Sequence, residues 1–193
     1  ELTEGWATLG VAQAMYDQGM WSTLTDALVA AEGGQGQDLM QMAFQYADRT
    51  AGGDYPGNIM EAIYAVNCLD HPEPEGAERD EMVETAEREA PIWGQFIAGG
   101  SGPCGEWPWE AVREPRTIDA QGANPILVIG TTRDPATPYE WAERLHDQLA
   151  DSRLVTHEGD GHTAYMRQNS CVDKVVDAFW LKGDLPDEDV TCS

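Results

Sequence analysis

Asp134 and His162 are the residues whose types and spacing point to chemistry. A buried carboxylate that accepts the Nδ1–H of an imidazole fixes its tautomer and stabilises the imidazolium as it forms. The other ring nitrogen is then free to take a proton from a nucleophile. Each of the two residues follows a stretch that reads as a β-strand. Asn124-Pro125-Ile126-Leu127-Val128-Ile129-Gly130 is an apolar run bounded by Pro and Gly, the pattern of a strand buried on both faces. Asp134 lies in the loop 131–138 that leaves it. Residues 153–157 read as a shorter second strand, ended by Glu158-Gly159-Asp160-Gly161, and His162 comes next. The glycines on either side of Asp160 would let the backbone turn sharply there. Asp160 is the rival carboxylate, but two residues from His162 it is expected to shape the turn. His71, His146 and His157 fall in an acidic loop, on a helix face and in a strand, and read as structural.

The elements around these loops are helices. Thr137-Pro138-Tyr139-Glu140 is a helix start, with Thr as N-cap and Pro at the first helical position, and Trp141, Leu145 and Leu149 then share one face. Ser170 begins another helix, with Asp173 three residues on, Val172, Val175, Val176 and Phe179 as its buried stripe, and Gly183 as its stop. Strand, helix, strand, helix is a βαβα unit, which makes a parallel sheet covered by helices. Loops at the carboxyl ends of such strands collect functional groups, so Asp134 and His162 are expected in one crevice.

The front half differs. Residues 2–96 carry apolar positions at helical spacing: Trp6, Leu9, Ala12 and Met15; Leu24, Leu28 and Ala31, ended by Gly33-Gly34; Leu39, Met42, Ala43 and Tyr46, ended near Gly52-Gly53. Pro56 opens a further segment through Ile59, Ile63 and Val66, and the charged stretch 75–89 ends at Pro91. Short helices joined by glycine pairs suit a movable cover over a cleft, and suit an ordinary bundle equally.

An Asp and then a His in the last two βα loops is the order of α/β-hydrolases, where the nucleophilic Ser comes earlier. Its elbow, Gly-x-Ser-x-Gly between a strand and a helix, is absent. Gly99-Gly100-Ser101-Gly102-Pro103 is nearest, with no apolar strand before Ser101 and no helix behind it. One or two strands are also too few to bury both faces of a doubly wound sheet. Both shortages point upstream of Glu1, and a start without Met or a basic-apolar leader fits a processed or trimmed product. The expected fold class is α/β: the C-terminal part of an α/β-hydrolase, parallel strands with crossover helices behind a helical lid, without the N-terminal half of the sheet.

Composition bounds the rest. Acidic residues outnumber basic ones 35 to 11, and the resulting charge of −24 repels phosphate backbones, so nucleic-acid binding is not expected. No apolar run is long enough to span a bilayer. Cys68, Cys104, Cys171 and Cys192 show no metal-ligand spacing, so no metal is expected, and no organic cofactor is implied. Four cysteines allow three disulfide connectivities. Cys68–Cys104 with Cys171–Cys192 is favoured because each bridge closes one local loop, and the second pins an acidic tail. Disulfides place the chain in an oxidising compartment, secreted or associated with the cell envelope.

Cys104-Gly105-Glu106-Trp107-Pro108, Asp134-Pro135-Ala136-Thr137-Pro138-Tyr139, Gly159-Asp160-Gly161-His162, and Cys171 with terminal Cys192 resemble the C-terminal region of actinobacterial tripeptidyl-aminopeptidase-like hydrolases. The likeness is close over 104–192, and 62–70 resembles the segment leading to that family's first paired cysteine. The resemblance implies exported serine peptidases that release short peptides from substrate N-termini, with Asp134 and His162 as triad members and a helical lid. It divides the chain into a lid (1–55), a helical and loop connection with the first disulfide cysteine (56–103) and a C-terminal hydrolase region (104–193). The partners it implies are the N-terminal part of the same hydrolase, which supplies Ser and oxyanion donors, and a peptide substrate. An exopeptidase must also bind a free α-ammonium, for which Asp70 and Glu73 are the candidate carboxylates. The alternatives are an esterase or lipase on the same scaffold, and a non-catalytic proteolytic fragment.

Overall fold

Small residues set the packing of the first three helices in the computed structural model, which describes residues 1–70, 74–98, 104, 107–112 and 116–193. Helix α1 (Glu4–Met15) starts at Thr3, whose side chain accepts a hydrogen bond from the Trp6 N–H. Its buried residues are Gly10 and Ala14, with Ala7, Val11 and Met15 against the core; of the stripe Trp6, Leu9, Ala12 and Met15, Met15 alone packs there. The reason is close approach: a Cβ on Gly10 would overlap the Leu39 carbonyl of α3 (Gln37–Tyr46), so the glycine face meets that helix. Helix α2 (Trp21–Glu32) buries Leu24 and Ala27, while Leu28, expected inside, is 42% exposed. Helix α3 buries Leu39, Met42 and Ala43 as its spacing predicts. It stops at Tyr46, short of Gly52-Gly53, because Asp48 turns left-handed (φ 49°) and the Arg49 N–H closes onto the Phe44 carbonyl. Ala14, Leu24, Ala27, Leu39 and Met42 form this core.

Strands β1 (Ile126–Arg133), β2 (Ser152–Asp160) and β3 (Val190–Cys192) form a parallel sheet in that order. Helix α7 (Tyr139–Gln148) connects the first two, and α8 (Ser170–Lys182) the last two. Gly130 lets α7 lie close on β1, since a Cβ there would stand 2.8 Å from Ala142 and from the Tyr139 ring. Pro138 is the cap of α7; Thr137 does not cap it, because its hydroxyl is spent on Asp134. Likewise Asn169 rather than Ser170 caps α8, accepting from the Cys171 and Val172 N–H groups, and Asp173 accepts from the Met166 N–H. Gly183 (φ 73°) ends α8 as expected. Strand β2 runs on through Glu158, Gly159 and Asp160 because its ladder with β1 continues to Arg133 opposite Asp160. Strand β3 has no sequence signature of its own: it is held by pairing Val190 with Val155 and by the Cys171–Cys192 disulfide. Val155, Ala164, Val172, Val176 and Cys192 make the second core. Full burial of each aliphatic side chain there stabilises by roughly 1.5–3 kcal/mol. Trp141 and Leu145, two of the three residues read as sharing one face of α7, are 56% and 41% exposed, because α7 rests on β1 through Tyr139 and Ala142.

By contacts the chain forms two units: Glu1–Pro56 with Thr117–Ser193, and Gly57–Arg116. The second holds α4 (Ile59–Asp70), α5 (Gly76–Glu89) and the short α6 (Gly94–Ile97). Cys68 is what α4 buries, bridged to Cys104 with 5.1 Å between Cα atoms. Ile59, Ile63 and Val66, the apolar positions of the segment read as opening at Pro56, are each at least half exposed. Both disulfides join the favoured partners. Among the described residues no helix is long and apolar enough to cross a membrane. His71, Glu73 and Ser101 lie outside the described residues.

Candidate active site

Asp134 is the first residue beyond β1 and is only 9% exposed. The turn 135–137 wraps its carboxylate. The Ala136 and Thr137 N–H groups each donate to Oδ1 at 2.9 Å, and the Thr137 hydroxyl (3.0 Å) and Thr163 N–H (3.2 Å) donate to Oδ2. Burial pushes the carboxyl's pKa up. The N–H groups of Thr137, Ala136 and Thr163, with the His162 ring, outweigh that and hold it below the ordinary 3.8. The site therefore keeps a fixed negative charge.

His162 stands two residues beyond β2, delivered by a turn at Gly161 (φ 95°). Its Nδ1 lies 3.0 Å from both oxygens of Asp134. With Nδ1–H so committed, Nε2 carries the free lone pair, and the side chain remains 27% exposed. The main chain is fixed from the helical side: the His162 N–H donates to the Tyr16 carbonyl at 3.0 Å, and the Tyr16 ring meets the imidazole edge-on at 5.2 Å. Asp160 takes a different part. Its carboxylate accepts from Arg133 at 2.8 Å and from the Gln18 side chain at 3.2 Å. Hydrogen bonding to Arg133 is the main reason its pKa lies below the ordinary value. It ties the strand ends to the helical segment and leaves the imidazole to Asp134. Arg167, five residues after His162, pairs with Asp17 at 3.2 Å.

His157, which reads as structural from the sequence, lies on a cavity wall. Its imidazole lies over Gly159, where a Cβ would collide with the ring, so Gly159 is a space-making residue in β2 and not the turn glycine expected. The ring lines a cavity of about 540 Å³ together with Tyr16, Gln18, His162, Gln168 and Asn169. The Nδ1 atom of His157 is enclosed and has no hydrogen-bond partner. The signal was present: a strand residue and the one two positions on share a face, so a Gly there makes room for a large ring.

A second Ser-His-Asp grouping sits at the opposite, amino end of β2. The His146 Nδ1 is 2.7 Å from the Ser152 hydroxyl, and its Nε2 is 3.4 Å from Asp189. Ser152 is 6% exposed and its hydroxyl donates to the His146 carbonyl at 3.2 Å. Its proton thus points away from the imidazole and no substrate can reach its oxygen, so this grouping ties α7 to β2 and the tail. Asp70 is exposed at the last residue of α4, in the second unit. Among the described residues no three His, Cys, Asp or Glu side chains gather as a metal site.

Comparison with known proteins gives a consistent result. A model of the family described as TAP-like protein matches residues 90–192. The chain is 33% identical over 192 residues to the serine protease Hip1 of Mycobacterium tuberculosis, covering 96% of this chain and 36% of that protein. It is 36% identical over 194 residues to carboxylesterase B of the same organism, covering 97% and 36%. With the tripeptidyl aminopeptidase of Streptomyces coelicolor it shares 29% over 182 residues, covering 93% and 34%. The chain thus spans about a third of the length of the curated relatives it matches.

Proposed function

The chain belongs to the TAP-like protein family, and from that premise we propose that it supplies the Asp and His of a Ser-His-Asp triad in a secreted serine exopeptidase. One observation carries the reading: the His162 Nδ1 stands 3.0 Å from a charged, enclosed Asp134 at the carboxyl ends of two adjacent parallel strands. His162 then acts as general base toward a serine hydroxyl and as general acid toward the departing amine. Asp134 fixes its tautomer and stabilises the imidazolium. The serine and the oxyanion N–H groups come from a part of the protein outside residues 1–193. Two features support this: the edge of β1 away from β2 has no partner among the described residues, and Trp141 and Leu145 flank it in an apolar groove of about 390 Å³. Helices α1–α3 serve as the lid, touching the site through Tyr16, Asp17 and Gln18. The two disulfides support export to an oxidising compartment. Asp70 and Glu73 are the proposed carboxylates for the substrate's α-ammonium; unchanged preference for free over blocked N-termini in Asp70→Asn would remove that role.

The test is a fluorophosphonate probe. The full-length protein should be labelled at a serine outside 1–193, and the isolated chain should stay unlabelled; labelling at Ser101 would overturn the assignment. An esterase is the second reading, favoured by the likeness to carboxylesterase B. Aminopeptidase reporters run beside acyl esters of graded length separate the two.

A further inference from the structure

The general acid of acyl transfer must stand beside the group that leaves, so whatever cavity His162 opens onto on the side away from Asp134 receives the leaving group. The 540 Å³ cavity meets that condition: His162 lines it and Asp134 does not. Its chemistry is specific. The two carboxylates on its wall are each neutralised, Asp17 by Arg167 and Asp160 by Arg133. It therefore favours neither a cation nor an anion. Its polar lining, from Gln18, Gln168 and Asn169, also leaves little for an acyl chain to bury against. Neutral groups that alternate donor and acceptor fit it best, which is the chemistry of peptide main chain.

His157 brings to this wall an enclosed polar atom that the fold leaves unpaired. Its Nδ1 is enclosed without a partner, and neither ring nitrogen makes a hydrogen bond among the described residues. An enclosed nitrogen is held more cheaply as a bare lone pair than as an orphaned N–H, which puts the proton on Nε2. The bare Cα of Gly159 keeps the ring in place. We propose that His157 is a specificity-determining residue of this site, donating from Nε2 to a carbonyl oxygen of the leaving peptide, and that the cavity is the binding site for the peptide chain beyond the scissile bond. This deepens the serine-peptidase reading and rests on it.

The test uses the full-length protein, with tripeptides carrying either an aryl amine or a further two to four residues as leaving group. His157→Ala should lower kcat/KM for the extended peptides about tenfold, the scale of one lost hydrogen bond, and leave the aryl amide unchanged. It should equally lower the fraction of acyl-enzyme captured by an added peptide amine over water, in which the amine nitrogen bonds the acyl carbon as the serine ester bond breaks and the amine's proton returns through His162 to the serine oxygen. His157→Gln keeps an N–H donor and should restore most of both. Equal losses on both leaving groups, or no loss on either, would overturn the inference. Failure of the wild-type protein to react with the fluorophosphonate or to cleave any reporter would instead overturn the hydrolase reading beneath it.

Discussion

The two ends of β2 each carry an imidazole next to a carboxylate, and the difference between them teaches more than the likeness. At the carboxyl end, Asp134 is enclosed, its pKa is held down by backbone N–H groups, and the imidazole it orients keeps one nitrogen exposed. At the amino end the order of exposure is inverted. Ser152 is buried, the imidazole is committed on both nitrogens, and the carboxylate of Asp189 is the wet member, 53% exposed. Chemistry needs a fixed charge inside and a reactive atom outside. The same three residue types with the layers reversed make a clasp.

The comparison is broken most severely by His162→Ala in the full-length protein, expected to cost about 10⁴–10⁶ in kcat, with Asp134→Asn costing about 10⁴ through the wrong tautomer. Steady-state kinetics on soluble, folded variants checks both, and comparable losses in Ser152→Ala would dissolve the distinction drawn above. Next comes the Cys171→Ser/Cys192→Ser pair. Opening a loop of 21 residues should lower stability by about 3 kcal/mol in denaturant unfolding, with fraying at β3. Ser152→Ala should cost about 1–3 kcal/mol, because it leaves the half-buried His146 Nδ1 without its partner, while kcat stays at the wild-type value. The pH dependence is subtler. Asp134 has a folded pKa below 3.8, so its contribution is fully present above that value and disappears as pH falls through the folded one. Unfolding midpoints followed through that acid window should fall less steeply in Asp134→Asn than in wild type. Smallest is Asp189→Asn, at most about 1 kcal/mol and reduced by salt, since the partner carboxylate is half exposed.

How much of this could be read from the residues follows from what each element depends on. The run 124–130 and the stripe of α8 declare themselves because burial is periodic there, and Asp134 and His162 follow from their places after the strands. The pairing of cysteines follows from loop closure. The α1 face is not legible in the sequence because hydrophobicity favours Trp6 and Leu9, whereas backbone approach to α3 selects Gly10 and Ala14. Strand β3 and the outward turn of Trp141 depend on neighbours distant in the chain, which no local pattern encodes. His157 reads as structural because a strand histidine is ordinarily inert; its place on a cavity wall depends on residues distant in the chain and is not legible locally.

The hydrogen bond from His162 to the carbonyl of Tyr16 is made entirely of main chain. Any residue at 16 can supply that oxygen, so evolution is free to redecorate the helical segment without loosening its grip on the histidine. Spacing is what the join reads: one residue inserted between Met15 and Gln18 would put the carbonyl out of reach, while every side chain stayed the same. Helical segments exchanged between relatives should thus succeed or fail by length before they do so by identity.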